Sequence, residues 1–205
     1  MRYLNLVFDL LKFTLKLLLV KFSNLKTPLR ISFKNKSHKR SIIMGNGPSF
    51  LKDMLEINNH VKDECDFFAV NFFANTKYFC ELKPNYYFLA DKLFWSDDLN
   101  QNFNQLRNET LDRLKDVNWG IIILCPESGY NYIKSNLSCN SNISFIKIPE
   151  KSIELNTNQM QLFALRNRFF SLPNVNSVST LIWYSIISNY SEIYLYGLDF
   201  SGFKS

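Results

Sequence analysis

The stretch that decides the fold is Ser-Ile-Ile-Met-Gly-Asn-Gly-Pro-Ser-Phe, residues 41–50. Within it, Ile42-Ile43-Met44 is a short apolar run that predicts a buried strand. The run stops at Gly45-Asn46-Gly47, and an apolar helical pattern begins at Phe50. Glycine has no Cβ, so this turn can adopt positive φ and lets a ligand approach the backbone closely. A strand, a tight glycine turn and a helix start are therefore expected here.

The helix that follows the glycine turn predicts an anion site. Its first N–H groups have no intrahelical partners and its dipole is positive at this end, which suits a phosphate. Ser49 is the expected N-cap, and Pro48 gives a rigid lead into the helix. Phe50 stands where the dinucleotide fingerprint has its third glycine, and the Gly-Lys-Ser/Thr end of the ATP P-loop is missing. Taken alone, the stretch fits an ordinary strand-to-helix turn equally well.

Length and cysteine usage favour one α/β domain in a reducing compartment. The 205 residues are enough for a single domain with a sizeable core. The cysteines are widely spaced and form no C-x-x-C pair, which indicates reduced, mostly buried thiols rather than a disulfide framework or a zinc site. They are Cys65, Cys80, Cys125 and Cys139.

Positive charge is concentrated in residues 1–40, which hold ten Lys and Arg against one Asp, a net charge of +9. The other 165 residues carry a net charge of −3. A basic surface spread over the globular part is therefore not indicated, and nucleic acid is not an expected partner.

Residues 3–22 are rich in Leu, Phe and Val, and their polar exceptions Asn5, Asp9, Lys12 and Lys16 are spaced 4, 3 and 4 apart. This spacing places the polar side chains on one narrow stripe of a helix. Charges interrupt the run too often for a membrane span, and no signal-peptide cleavage site follows it. We expect an amphipathic helix in the membrane interface. Packing of this helix on the domain or on a second subunit is the alternative.

The basic segment 34–40 would face anionic lipid headgroups, where each Lys or Arg near the surface contributes about 1 kcal/mol. The sequence therefore predicts a basic, membrane-associating arm over residues 1–40 and a nucleotide-sugar-binding domain over residues 41–205. The protein is expected in the cytoplasm, peripheral at the inner face of the cytoplasmic membrane.

Alternating apolar runs and helical patterns predict a Rossmann-like, mostly parallel sheet with helices on both faces. Asn71 and Asp91 follow the second and third strands, at the carboxyl ends where open α/β sheets bind ligands. Helix capping or turn formation is the plainer alternative for both. The predicted strands cover residues 42–44, 67–70, 86–89, 120–125, 143–148 and 193–196, and the predicted helices 51–58, 98–116, 130–137, 158–170 and 177–188. On the second helix the expected inner side is Leu99, Phe103, Leu106, Leu111 and Leu114.

Three blocks of the sequence resemble bacterial sialyltransferases of glycosyltransferase family 42. They are Gly45-Asn46-Gly47-Pro48-Ser49, the strand end Val70-Asn71, and Ser177 to Phe200, above all Glu192-Ile-Tyr-Leu-Tyr-Gly-Leu-Asp-Phe200. The same blocks, in the same order, are similar to a wider group of lipopolysaccharide and capsule glycosyltransferases. The resemblance spans residues 41–95 and 174–201, and the segment between them is not matched.

The resemblance implies a metal-independent, inverting glycosyltransferase without a cofactor. It would transfer a sugar from a CMP-activated nonulosonic acid to a lipooligosaccharide or capsule acceptor, which is a glycolipid or an oligosaccharide. In the family pattern Asn46 and Gly47 match contacts to the nucleotide phosphate, and Asn71 matches an Asn near the phosphate and sugar. Ser177 matches a nucleotide-binding Ser at a helix start, and Asp199-Phe200 matches the residues beside the nucleoside.

The sequence departs from the family pattern at several positions. The family's third Asn falls at Ala90, beside Asp91, which we include among the expected nucleotide-sugar contacts. The family Arg before the last helix falls at Asn174, and the Tyr that assists the leaving phosphate falls at Ser201. The family's base, a His beyond the last block, is matched by neither histidine here. Efficient transfer needs such a base, so the catalytic residue is unassigned and these 205 residues are not expected to be fully active alone.

Two other functions stay open on the sequence. An enzyme similar to the MptE-like pterin diphosphokinases shares the glycine loop and the Gly-x-Asp block, and would need Mg²⁺ and ATP. A truncated, non-catalytic protein would retain only the nucleotide cradle and the membrane arm. No D-x-D motif is present, so no metal site is predicted. The donor sugar, the acceptor and assembly into a homo-oligomer are left open.

Overall fold

The computed structural model shows an α/β unit built around one sheet. This unit comprises residues 32–148 and 174–205, and a second compact unit comprises residues 1–31 and 149–173. All strands and helices described below belong to the first unit. The residues that the structure describes are 12, 14–15, 37–50, 64–96, 100–148, 150 and 176–198.

Several predictions lie outside the described residues. They concern the amphipathic helix in residues 3–22, the helices over 51–58 and 158–170, and the site residues Asp199 and Phe200. Across the described ranges, no helix is both long enough and apolar enough to cross a membrane.

The sheet has six strands, which are β1 (Arg40–Met44), β2 (Cys65–Val70), β3 (Tyr86–Phe88), β4 (Ile121–Pro126), β5 (Ile143–Ile148) and β6 (Glu192–Tyr196). Each predicted strand is present, with bounds that differ by two residues or fewer. All six strands are parallel, in the spatial order β5-β4-β3-β2-β1-β6. This confirms the predicted Rossmann-like architecture. The central strand β2 is buried at every position, as expected for a parallel strand with both faces covered.

Helices cover both faces of the sheet. They are α1 (Phe79–Leu82), α2 (Gln101–Lys115), α3 (Tyr130–Leu137) and α4 (Ser177–Ile187), with short 3-10 helices at Asn71–Asn75 and Lys92–Phe94. On one face, helices α2 and α3 contribute buried leucines and Ile133 to a cluster that includes Ile42 and Met44 of β1. Helix α4 contacts β1 and β2, and its buried Leu181 and Tyr184 lie outside that cluster. Helix α1 and the two 3-10 helices were not predicted.

The predicted inner side of α2 is only half right. Leu111 and Leu114 are buried, whereas Phe103 is 39% and Leu106 38% exposed. The C-terminal half of α2 packs against the 3-10 helix Asn71–Asn75, where the Arg113 guanidinium donates to the Ala74 carbonyl. The N-terminal half extends past the covered surface, which helical periodicity alone does not reveal. Leu99 lies outside the described residues.

The four cysteines are free, and only two of them are buried. Burial raises the pKa of the Cys65 thiol to about 11 and that of Cys125 to about 12, so both stay protonated at neutral pH. Cys80 and Cys139 are exposed, on α1 and just after α3. The expectation of mostly buried thiols is therefore wrong for these two, because Cys80 lies on the solvent side of α1 and Cys139 lies in the exposed turn after α3.

A buried carboxylate joins three segments at the amino ends of the central strands. Asp66 of β2 is fully buried and accepts a hydrogen bond from the Tyr190 hydroxyl at 2.6 Å. It also accepts from the N–H groups of Ser37 and His38, which lead into β1, at 3.3 and 3.4 Å. Burial and the bond to Asp66 raise the pKa of Tyr190, so its hydroxyl remains a donor. Tyr190 lies two residues before β6, so this bond anchors β6 and β1 to β2.

Replacing Tyr190 by Phe should lower the free energy of unfolding by about 1.5–3 kcal/mol, because it removes a donor to a buried charged acceptor. Urea denaturation measures this change. Tyr132→Phe is the matched control, since the half-buried Tyr132 hydroxyl makes no hydrogen bond within the described part of the chain. Equal losses in the two variants would contradict a stabilising role for the Asp66–Tyr190 bond.

Candidate functional site

A cleft lies where the chain reverses its direction of travel across the sheet. From β1 the chain adds β2 to β5 on one side, then returns to add β6 on the other side of β1. Loops diverge at such a switch point and leave a crevice at the carboxyl ends of the strands. The cleft here has a volume of about 340 Å³. It is lined by residues 45–47 after β1, Val70 and Asn71, residues 176–179 and Ile182, and Leu195, Gly197 and Leu198.

Four of the predicted site residues meet in this cleft, although they come from three separate parts of the chain. Asn46 and Gly47 follow β1, Asn71 follows β2, and Ser177 begins α4. Asp91 is not among the lining residues. Its carboxylate accepts from the Leu93 N–H at 3.0 Å and caps the 3-10 helix Lys92–Phe94. Helix capping, the plainer alternative from the sequence, therefore accounts for the described contacts of Asp91.

Two glycines bring the carboxyl ends of β1 and β6 into direct contact. A Cβ on Gly45 would lie 2.5 Å from the carbonyl oxygen of Gly197, and a Cβ on Gly197 would lie 2.8 Å from that of Gly45. The Gly45 N–H donates to the Tyr196 carbonyl, and the Gly47 N–H donates to that of Gly197, both at 2.9 Å. Of these two glycines, Gly197 has a positive φ, of 66°. Gly45 must be glycine for a different reason, because there is no space for a side chain at this position. Gly45 does not use the positive φ that a glycine turn can adopt.

Asn46 and Asn71, two of the three asparagines that line the cleft, are held differently. Asn46 donates from Nδ2 to the Val70 carbonyl at 3.2 Å, which ties the glycine turn to the end of β2. Asn71 has a left-handed backbone, with φ of 46°, and its Oδ1 accepts from the Ala90 N–H at 3.0 Å. Nδ2 of Asn71 makes no hydrogen bond to the described residues. Among the described residues, Asn71 Nδ2 is therefore a donor without a partner, whereas Oδ1 already accepts one hydrogen bond.

The first turn of α4 supplies further donors. Asn176 is the N-cap, and its Oδ1 accepts from the Val178 N–H at 2.8 Å. Within the described part of the chain, the N–H groups of Ser177 and Ser179 make no hydrogen bond. The N-terminus of this 11-residue helix also carries the positive end of its dipole. These features together suit an anion.

The helix start in the cleft differs from the one expected after the glycine turn. Pro48, Ser49 and Phe50 do not line the cleft, and the Phe50 N–H already donates to the Gly47 carbonyl at 3.1 Å. The cap of α4 is Asn176, one residue before the Ser177 singled out by resemblance. An Asn followed by an apolar helical run is a capping signal that the sequence contained. The sequence indicated Gly197 only as a member of the last block of the resemblance. Its role could not be predicted, because it depends on the contact with Gly45 in the folded sheet.

The described lining of the cleft contains no charged side chain. Its polar groups are amides, hydroxyls and backbone N–H groups, which hydrogen-bond an oxyanion without adding a counter-charge. Among the residues that the structure describes, no three His, Cys, Asp or Glu side chains group in a way that could hold a metal ion. These groups would suit a phosphate group carried on a partly apolar molecule.

No protein-family model matches the sequence, and no curated protein matches it. The functional argument therefore depends on the cleft and its chemistry.

Replacing Gly45 by Ala should destabilise the fold by about 1–3 kcal/mol or more, because the new methyl group would overlap the Gly197 carbonyl. Gly120→Ala is the control, since a Cβ there would meet nothing within 4 Å and we expect its stability to change by less than about 1 kcal/mol. Urea denaturation of both variants tests this difference. A Gly45→Ala protein as stable as Gly120→Ala would show that the two strand ends are not in close contact.

Proposed function

We propose that this protein is a sialyltransferase-like glycosyltransferase, which uses a CMP-activated donor and a lipooligosaccharide or capsule acceptor. The observation that carries this proposal is the convergence of Asn46, Gly47, Asn71 and Ser177 in one cleft. The resemblance to family 42 matches these residues on the sequence alone, independently of their positions in the fold. Residues chosen from unrelated parts of a chain would not be expected to share a cleft at the switch point of the sheet.

The cleft suits a nucleoside monophosphate in size and in chemistry. Its volume of about 340 Å³ lies in the range of small-molecule sites, about 300–1,000 Å³. The donors around Asn71 and the start of α4 would hold the phosphate. The apolar side chains of Ile182 and Leu195, which also line the cleft, would contact the nucleoside.

Transfer would proceed by a single displacement at the anomeric carbon. The acceptor hydroxyl oxygen forms the new bond to this carbon as the bond to the CMP phosphate oxygen breaks, and the hydroxyl proton passes to a base that is unassigned. Negative charge grows on the leaving phosphate during this step. Asn71 Nδ2 and the free N–H groups of Ser177 and Ser179 would stabilise that charge more strongly in the transition state than in the ground state.

The basic arm over residues 1–40 supports a peripheral location at the inner face of the cytoplasmic membrane. A lipooligosaccharide or capsule acceptor is anchored in, or assembled at, that membrane. An enzyme concentrated on the same surface would encounter its acceptor more often than one in free solution. The net charge of +9 in this arm would attract anionic lipids.

Calorimetric titration of the full chain with CMP, UDP, GDP and ATP, with and without Mg²⁺, tests the proposed donor. We expect CMP to bind without Mg²⁺ and Asn46→Ala to weaken it by about tenfold or more, since one anchored amide of the cleft is lost. Asn136→Ala is the matched control, because Asn136 Nδ2 also donates to a backbone carbonyl, at 2.8 Å, but lies outside the cleft.

The other outcomes of this titration each redirect the function. Binding of ATP only with Mg²⁺ would favour a pterin diphosphokinase-type enzyme on the same core. CMP binding without any turnover of a CMP-linked sugar would favour a non-catalytic nucleotide-binding protein. Binding of none of the four nucleotides by the folded protein would contradict the proposed function.

Sedimentation with lipid vesicles tests the membrane arm. The full chain should bind vesicles that contain anionic lipid and should bind zwitterionic vesicles less. Lys34→Gln with Lys36→Gln should weaken binding to anionic vesicles by about 1 kcal/mol for each charge removed. The paired control, Lys77→Gln with Lys134→Gln, removes two positive charges outside the arm and should leave binding unchanged. Equal losses in both pairs would assign the attraction to net charge rather than to the arm.

A further inference from the structure

Tyr87 is a buried residue that contacts Asn71 of the candidate site but does not line the cleft. It lies in β3, is fully buried, and is not among the residues that line the cleft. Its hydroxyl donates to the backbone carbonyl of Asn71 and accepts from the Ala74 N–H at 2.8 Å. The hydroxyl therefore bonds to the first and the fourth residue of the 3-10 helix Asn71–Asn75, which follows β2.

Asn71 is tied to the end of β3 at two points. Its carbonyl accepts from Tyr87, and its side-chain Oδ1 accepts from the Ala90 N–H at 3.0 Å. Between these contacts the Asn71 backbone adopts φ of 46°, which non-glycine residues rarely populate, although Asn tolerates it better than most. Such a conformation persists only where surrounding contacts enforce it. The Tyr87 hydroxyl supplies one of those contacts.

The second tie decides what Asn71 offers to a ligand. Because Oδ1 is occupied by the Ala90 N–H, the remaining polar atom of the side chain is Nδ2, which only donates. The Ala90 N–H thus fixes the orientation of the side-chain amide, in which Nδ2 is the polar atom without a hydrogen-bond partner among the described residues. A phosphate oxygen is a suitable partner for that donor, whereas a cation is not.

We propose that Tyr87 is a positioning residue that keeps Asn71 in its left-handed conformation and so directs the Asn71 amide donor to the phosphate of the bound nucleotide. This inference rests on the proposed function for the identity of the ligand. Tyr87 itself touches no ligand and takes no part in the chemical step.

Burial raises the pKa of the Tyr87 hydroxyl well above its usual range. The hydroxyl therefore stays protonated at neutral pH and can donate to the Asn71 carbonyl. This hydroxyl can be removed by substitution to Phe with little change of volume.

Calorimetry with CMP and with cytidine, on the full chain, tests the positioning role. Tyr87→Phe should lower CMP affinity by about tenfold, the effect of misplacing one donor to a charged group, and leave cytidine affinity unchanged. Asn71→Asp keeps an acceptor for the Ala90 N–H but replaces the donor, and should lower CMP affinity at least as much. In the Asn71→Asp background, Tyr87→Phe should add little, because both changes remove the same contact.

Tyr86→Phe is the matched control. Tyr86 is the preceding residue of β3 and is equally buried, and its hydroxyl bonds to Tyr190 at the amino end of the sheet, away from the cleft. We expect it to leave CMP affinity unchanged. A purely structural role for Tyr87 would lower CMP and cytidine affinity together, or would give the same losses in both Tyr variants, and either result would overturn the inference.

Hydrogen exchange at the Ala90 amide separates this inference from the proposed function, because it needs no ligand. If Tyr87 holds Asn71, the Ala90 N–H should exchange faster in Tyr87→Phe than in the wild type and should stay protected in Tyr86→Phe. Equal Ala90 exchange in Tyr87→Phe and the wild type overturns the inference, even if CMP binds. Failure of the wild type to bind CMP contradicts the proposed function, while faster Ala90 exchange would still support the hold of Tyr87 on Asn71.

Discussion

The contact between Gly45 and Gly197 is the constraint on which the candidate site depends. Strands β1 and β6 are neighbours in the sheet but are far apart in the sequence, and their carboxyl ends meet through two residues without side chains. Any larger residue at Gly45 would push the two loops apart. The same contact aligns the Gly47 N–H with the Gly197 carbonyl and so sets the position of Asn46. This close approach therefore positions the part of the cleft that is lined by the loops after β1 and β6.

The described lining of the cleft contains polar groups but no charged side chain. A phosphate could be neutralised by a lysine or an arginine, but the described lining has neither. Its donors are instead fixed by backbone structure, in the left-handed turn at Asn71 and in the first turn of α4. Donors of this kind need little rearrangement when negative charge develops on a ligand. They are therefore suited to a reaction in which a phosphate leaves.

Much of the fold was predictable from the sequence because a parallel sheet buries both faces of its strands. Continuous apolar runs such as the one ending at Val70 then mark a strand and its carboxyl end, and with it Asn71. Other features depend on residues that are distant in the sequence. Helical periodicity marked Phe103 and Leu106 as inner residues because it cannot tell where the neighbouring surface ends. The Gly45–Gly197 contact and the partners of Tyr87 require the register of the sheet.

The two adjacent tyrosines of β3 show how one strand serves both ends of the sheet. Successive side chains point to opposite faces, so Tyr86 stacks on Phe68 on one face while Tyr87 packs against Phe79 on the other. The Tyr86 hydroxyl joins the buried network of Asp66 at the amino ends, and the Tyr87 hydroxyl joins Asn71 at the carboxyl ends. The first network has a buried charge and anchors the strands, whereas the second is neutral and orients a donor. Stability and ligand recognition thus depend on separate hydroxyls, which substitutions can remove one at a time.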